Sequence, residues 1–358
     1  MKNITDIAKM AGVSKSTVSR YLNNGSVSEQ TKQLLDQIIQ ETNYQPNQFA
    51  QSLRARRTNL IGAIIPRMNS HAVDETISGV KEACDEHDCQ LLLNFTNLDK
   101  NLEIEALKMF QRSKVDGIIF MATDITEELQ ELIGQLGVPV VIVGQSKDGF
   151  NCVVHDDYRA GQLVGDYIGQ QTMEHSSSKS GTDTTSQSPQ VQFFGVTEED
   201  YAVGVLRKKG MLNALSHYNI QPNFTLTSFN YREALEDITA RFQQHSITHY
   251  DTIVGATDAI ALAVYKYCSQ YQIPHPWPTM IGFGGDPMTE LVSPPIHTVK
   301  YKYREAGKVA IAQLFKALNQ QSIQSPQMID VFFLQKENHK ESISGTDTKR
   351  AVIHVRIS

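Results

Sequence analysis

The sequence predicts a small all-α helix-turn-helix domain with a hinge helix, followed by an α/β domain of two doubly wound parallel-sheet subdomains. Three observations carry this. The first sixty residues hold short amphipathic helical patterns separated by turn and cap residues. From Leu60 onward, short apolar runs alternate with helix-length amphipathic stretches, the pattern of a parallel sheet with crossover helices. Charge is also unevenly divided. The 358-residue chain has a formal charge of −6, yet residues 1–59 hold eight Lys and Arg against four acids, a net +4 that leaves −10 for the rest. A basic module on an acidic body favours one oriented approach to phosphate.

In the first segment Ile4, Ile7, Ala8 and Ala11 recur at helical spacing, Gly12 can take the left-handed conformation that ends a helix, and Ser14 can cap the next. Val18 and Leu22 share one face of that second helix. Lys15, Ser16, Thr17, Ser19 and Arg20 then point outward with donors for base edges and phosphates, with Thr5 and Asn23 beside them. A third helix, capped by Ser28, places Leu34, Leu35, Ile38 and Ile39 on its apolar stripe. Pro46 stops it. Residues 47–58 are a short polar segment whose one large apolar side chain is Leu53, and such a helix is too short to be stable alone in water. Paired with a second copy or laid on DNA it can order, present Leu53 as a minor-groove wedge, and bring Asn47 and Arg54 to the backbone. The expected boundaries are 1–46, 47–58 and 59–358.

Apolar runs at Leu60–Ile65, Gln90–Phe95, 117–121, 138–143, 191–196, 252–256 and 280–285 read as strands. Some 300 residues of alternating elements exceed one typical sheet, so two halves with a cleft between them are expected, the chain crossing near 157–161 and 286–296. The stretch from His175 to Pro189 is too polar to bury anything and reads as a surface loop. In doubly wound folds ligands sit beyond the carboxyl ends of strands. Arg67 and Asn69 follow the first strand, Asp156 and Asp157 follow Cys152-Val-Val-His155, and Asp258 follows Gly255-Ala-Thr257. Carboxylates and an Arg fork suit a polyol. Asp157 and Asp258 also fit as caps of the helices they precede, and Asp156 is the member of the acidic pair assigned to the ligand.

The helix-turn-helix run, the Tyr44-Gln-Pro-Asn…Ala50-Gln-Ser-Leu53 stretch and Thr58-Asn-Leu-Ile-Gly-Ala-Ile-Ile-Pro66 together resemble the lactose-repressor (LacI) family of bacterial transcription regulators. The resemblance covers most of the chain and weakens towards the C-terminus. It implies recognition-helix contacts at Lys15 to Arg20, the wedge at Leu53, and a periplasmic-binding-protein-like ligand domain. It further implies ligand contacts at Arg207, in Arg207-Lys-Lys-Gly210, and Asp258, with pocket aromatics at Phe229, Tyr301 and Tyr303. Arg67 is similar to the corresponding residue of trehalose-operon regulators, which sense a phosphorylated disaccharide. Two departures stand out: Gly282-Phe-Gly-Gly285 replaces a turn that usually carries acids, and the tail around Lys336-Glu-Asn-His-Lys-Glu341 matches poorly.

The expected function is a repressor of a sugar-utilisation operon, bound to double-stranded operator DNA as a homodimer and released by a disaccharide or disaccharide phosphate of sucrose or trehalose type. A corepressor response is the alternative sign. A sugar-processing enzyme is the other class, but the chain has no Gly-rich phosphate fingerprint, zinc-type His pair or Gly-x-Ser-x-Gly elbow. No cofactor or metal is expected, and Cys84, Cys89, Cys152 and Cys268 read as ordinary thiols of a reducing cytoplasm. With no signal-like segment and no apolar run long enough to cross a membrane, a cytoplasmic protein without a membrane partner is expected.

Overall fold

In the computed structural model of the chain, residues 3–22, 25–42, 44, 57–178 and 189–336 are described. They form two compact units, one up to Leu60 and one from Ile61 onward. Asn23, the expected hinge helix up to residue 56 with Asn47, Leu53 and Arg54, and the tail beyond Lys336 lie outside the described residues.

The first unit has three helices: α1 (Ile4–Met10), α2 (Lys15–Leu22) and α3 (Glu29–Thr42). Asn3 and Asp6 close a capping box on α1, Gly12 turns the chain at φ +65°, and the Ser14 hydroxyl accepts the Thr17 N–H to start α2. Ile7, Ala8, Ala11, Val18, Leu35 and Ile38 bury one another as a single small core. Leu34, placed on the apolar stripe by periodicity, is instead exposed. One helical turn carries the core face past it, and Leu35 fills the position.

The second unit contains two six-stranded sheets. The first lobe orders its strands β11-β5-β4-β3-β1-β2, where β1 is Leu60–Ile65, β2 Gln90–Phe95, β3 Gly117–Phe120, β4 Val140–Val143, β5 Asn151–His155 and β11 Gln327–Ile329. Helices α4 (His71–Glu86), α5 (Lys100–Arg112), α6 (Glu127–Gln135) and α12 (Tyr303–Leu318) belong to it. The second lobe orders β12-β10-β9-β8-β6-β7: β6 Val191–Gly195, β7 Asn223–Leu226, β8 Thr252–Gly255, β9 Thr279–Gly284, β10 His297–Tyr301 and β12 Val331–Leu334. Its helices are α7 (Asp157–Ser178), α8 (Arg207–Ser216), α9 (Tyr231–Gln244), α10 (Asp258–Gln270) and the short α11 (Met288–Leu291). Only β12 pairs antiparallel, on β10, among the strand pairings described. The central strands are buried on both faces and read as unbroken apolar runs for that reason.

The chain crosses between lobes three times. The first crossing lies between β5 and α7, at Asp156. The second lies at Lys302, between β10 and α12, and not at 286–296: β10 still pairs with β9, while α12 packs on α4 and the first sheet. A third crossing at Asp330 separates β11 from β12. The stretch read as a loop from His175 begins as helix, since α7 continues to Ser178. No helix among the described residues is long and apolar enough to cross a membrane.

Candidate functional site

The first unit offers a polar face on α2. Lys15, Ser16 and Arg20 are exposed, Thr17, Ser19 and Thr5 half-buried, and Val18 on the opposite side is fully buried. The helix carries two cations and no acid. Ser14 Oγ lies 2.7 Å from Ser16 Oγ and 2.9 Å from Thr17 Oγ1, which sets the first turn of the helix. The Tyr21 hydroxyl donates to the Asp36 carboxylate, tying α2 to α3, and that bond pushes the phenol up to about 12. The result is a short basic helix braced by two others, the form in which a recognition helix is presented to a major groove.

In the second unit a cleft lies at the switch points of both sheets. In the first sheet β1 has β3 on one side and β2 on the other, so the loop after β1 brings Arg67 and Asn69 to the opening. The same reversal around β6 brings Asp200 from the loop after it, and Asp258 from the end of β8. Seven residues expected from sequence line this one cavity: Arg67, Asn69, Arg207, Phe229, Asp258, Tyr301 and Tyr303. Asp156 does not. Its carboxylate accepts the Arg159 N–H at 2.9 Å as the cap of α7, while Asp157 turns inward beside His155. The expected placements of the two acids are therefore exchanged, because alternation along the end of β5 carries positions 155 and 157 to the cleft and 156 away from it.

Asp157 and Arg207 form the centre. Arg207 Nε donates to Asp157 Oδ1 at 2.7 Å, its Nη1 to the Ala256 carbonyl at 2.7 Å, and the Tyr301 hydroxyl donates to the same Asp157 oxygen at 2.8 Å. The guanidinium also faces the Tyr301 ring, 4.7 Å from its centroid. Burial works against the charge on Arg207, but Tyr301, Asp157 and Tyr303 outweigh it and hold the group protonated. The close packing of α7 on α8 fixes this pair: a Cβ on Gly210 would run into the Tyr158 carbonyl, and one on Gly161 into that of Arg207. A π-helical turn, Tyr201–Leu206, capped by Asp200, delivers Arg207 into the cleft; such turns recur at functional sites.

Asp258 is buried at the start of α10. It accepts the Thr298 hydroxyl at 2.6 Å and the Asp286 N–H at 2.7 Å. The turn without acids explains itself here: a Cβ on Gly282 would collide with this carboxylate, and Gly284, at φ +149°, lies against its other oxygen. Burial, opposed by those two hydrogen bonds, raises the Asp258 carboxyl to about 7.

Side-chain contacts also span the cleft from lobe to lobe. The Arg67 guanidinium lies 4.3 Å from the Phe229 ring centroid, Gln145 Nε2 donates to Asp200 Oδ1 at 2.8 Å, and Lys100 Nζ reaches Glu199 at 3.5 Å. Arg67 makes no salt bridge to a carboxylate among the described residues, and burial lowers its pKa while the Asp200 charge raises it. These contacts draw the lobes over a cavity of about 200 Å³. Acids, an unpaired guanidinium and aromatic faces together suit a polyhydroxy ligand, with oxygens for its hydroxyls and rings for its C–H faces. Sequence reasoning missed His155, Asp200 and Gln145. No motif marks Asp200 or Gln145; His155 was detectable by its place two residues before Asp157.

Residues 3–47 match the family model of bacterial regulatory proteins of the lacI family, and residues 190–331 match a periplasmic binding protein-like domain. A sucrose operon repressor of Staphylococcus xylosus is 57% identical over 92% of this chain and 98% of its own length. The transcriptional regulator TreR of Salmonella typhimurium strain LT2 is 27% identical over 88% and 93%. Among solved structures, a lac repressor bound to ONPG in the repressed state superposes with a TM-score of 0.80 at 18% identity, covering 93% of this chain and 98% of the other, which establishes the fold. With its three-helix basic unit, two-lobed cleft domain and this relative of more than half identity, the chain belongs to the lacI family of bacterial regulatory proteins.

Proposed function

We propose that the chain is a repressor of a sugar-utilisation operon. Two copies bind double-stranded operator DNA through Lys15, Ser16, Thr17, Ser19 and Arg20, with Thr5 and Asn23 beside them, while Asn47, Leu53 and Arg54 engage the centre of the site. A disaccharide of sucrose or trehalose type, free or 6-phosphorylated, is the inducer. One observation carries the ligand reading: the cleft joins a braced Asp157–Arg207 pair and buried Asp258 to an Arg67 with no bonded carboxylate among the described residues, in a chain 57% identical to a sucrose operon repressor. The ligand domain acts by differential binding. A cavity of about 200 Å³ is below the roughly 300–1,000 Å³ of sites that enclose drug-sized molecules, so a disaccharide alters the angle between lobes as it enters. The hinge segments respond, their short helices lose their order, and affinity for the operator falls.

The test starts by selecting duplexes from a random pool; a near-palindrome is expected, because two symmetry-related helices read it. Sucrose or sucrose 6-phosphate should then weaken binding to that duplex by roughly 5- to 150-fold, the range of ordinary coupling energies. Tighter binding would assign the corepressor sign instead. Calorimetry of Arg67→Ala separates the two ligand forms: affinity for the phosphate ester should fall far more than affinity for the free sugar, and equal losses would end the phosphate reading.

A further inference from the structure

His155 is the last residue of β5, immediately before the first crossing between lobes, and its ring forms part of the cleft wall. It is only 8% exposed. The two tyrosines that bracket the second crossing hold it edge-on, with ring centroids 5.1 Å away for Tyr301 and 5.2 Å for Tyr303, and those two rings stack on each other. The nearby Lys302 backbone favours the charged form of the ring, but burial outweighs it. Its Nε2 is buried with no hydrogen-bond partner among the described residues. Burial lowers the pKa of the ring, so the imidazole is neutral near neutral pH and Nε2 can present a lone pair. A buried acceptor without a partner is unfavourable, and such atoms in native structures call for an explanation.

We propose that His155 is a specificity-determining residue of the cleft, its Nε2 accepting one hydroxyl of the bound sugar and thereby linking occupancy to the two crossings that flank it. The inference rests on the reading of the cleft as a sugar site and adds to it the residue that couples the ligand to the crossings between lobes. Arg67, Phe229 and Asp258 hold the ligand from loops and helix ends, whereas His155 lies on the chain segment about which the lobes turn. A hydroxyl bonded there stabilises one lobe angle over others, which is what a ligand must do to shift a conformational equilibrium.

The test is calorimetry of the full chain with sucrose and with sucrose 6-phosphate, for wild type, His155→Phe and His155→Gln, together with the Tm of each protein free of ligand. Phenylalanine keeps the aromatic packing and removes the acceptor; glutamine keeps an acceptor near the position of Nε2. His155→Phe should weaken whichever probe binds wild type by about tenfold, the loss of one buried hydrogen bond. Its ligand-free Tm should equal or exceed that of wild type, because a partnerless buried nitrogen has gone, and His155→Gln should recover most of the affinity. A residue that merely packs gives the opposite pattern, a lowered Tm with unchanged affinity, and that result overturns the proposal, as does equal affinity at equal Tm. If neither these probes nor trehalose and trehalose 6-phosphate bind wild type, the sugar reading itself fails and the inference with it, an outcome distinct from the other two.

Discussion

Asp258 lies against a turn that carries no acid, Gly282-Phe-Gly-Gly285, and its surroundings give a measurable consequence. Burial raises its carboxyl to about 7 against the pull of the Thr298 and Asp286 donors. In the unfolded chain an aspartate ionises near ~3.9. Between those pH values the folded protein keeps a proton that the unfolded chain has released, so this group makes stability fall as pH rises from about 4 to about 7, and adds no further change above that. Asp258→Asn removes the dependence. The difference in unfolding free energy between wild type and variant, followed by denaturant titration, should therefore drift by up to ~4 kcal/mol over that window; a constant difference would show that the carboxyl ionises normally. At this scale the sequence was informative where a residue follows a strand end, as for Arg67, Asn69 and Asp258. It misled at Asp156, because two adjacent acids look alike until the register of β5 decides which faces the cleft. Asp200 was invisible, since its place depends on a π-helical turn that no periodicity announces.

Strands β1, β3, β4, β6, β8 and β9 were legible from their apolar runs, because each is buried by this chain's own helices and strands. Strand β2 carries the same signal for a different reason. It is an edge strand of the first sheet, and Leu92, Leu93 and Phe95 are exposed on it, with Leu98 and Leu102 close behind in sequence. Periodicity reports that a residue is apolar, not whether this copy or another buries it. An exposed apolar edge of this kind invites a second chain, and the homodimer expected of a two-fold reader supplies one. Leu93→Glu should accordingly shift the protein from dimer to monomer in analytical ultracentrifugation at micromolar concentration, without loss of helical signal in circular dichroism; an unchanged sedimentation coefficient would remove β2 from the interface. Strands β7, β11 and β12 escaped notice because they are only three or four residues long, and the last two are short pieces on either side of the third crossing, each added at a sheet edge. The second crossing was misplaced for a related reason: the turn and proline residues at 286–296 resemble a boundary, yet β10 returns to the same sheet before the chain leaves it.

At the scale of the whole molecule, a basic reader and an acidic ligand domain share one chain, and the thermodynamics of that linkage can be tested without knowing its geometry. If a sugar in the cleft lowers operator affinity by some factor, operator DNA must lower sugar affinity by the same factor, since both paths join the same four states. The equality holds whatever the mechanism in residues 47–58, and it fails if the sugar acts by competing for the DNA surface itself, because mutual exclusion drives apparent affinity down without limit as the competitor increases. Titrating the inducing sugar into protein alone, and into protein saturated with its operator duplex at constant salt, separates the two. A plateau in sugar affinity, offset by the factor seen in the DNA titration, is the expected result. Salt must be fixed throughout, because the phosphate contacts of a unit with a net charge of +4 change steeply with ionic strength. An offset that keeps growing with operator concentration would place sugar and DNA at one site and refute a cleft that works at a distance.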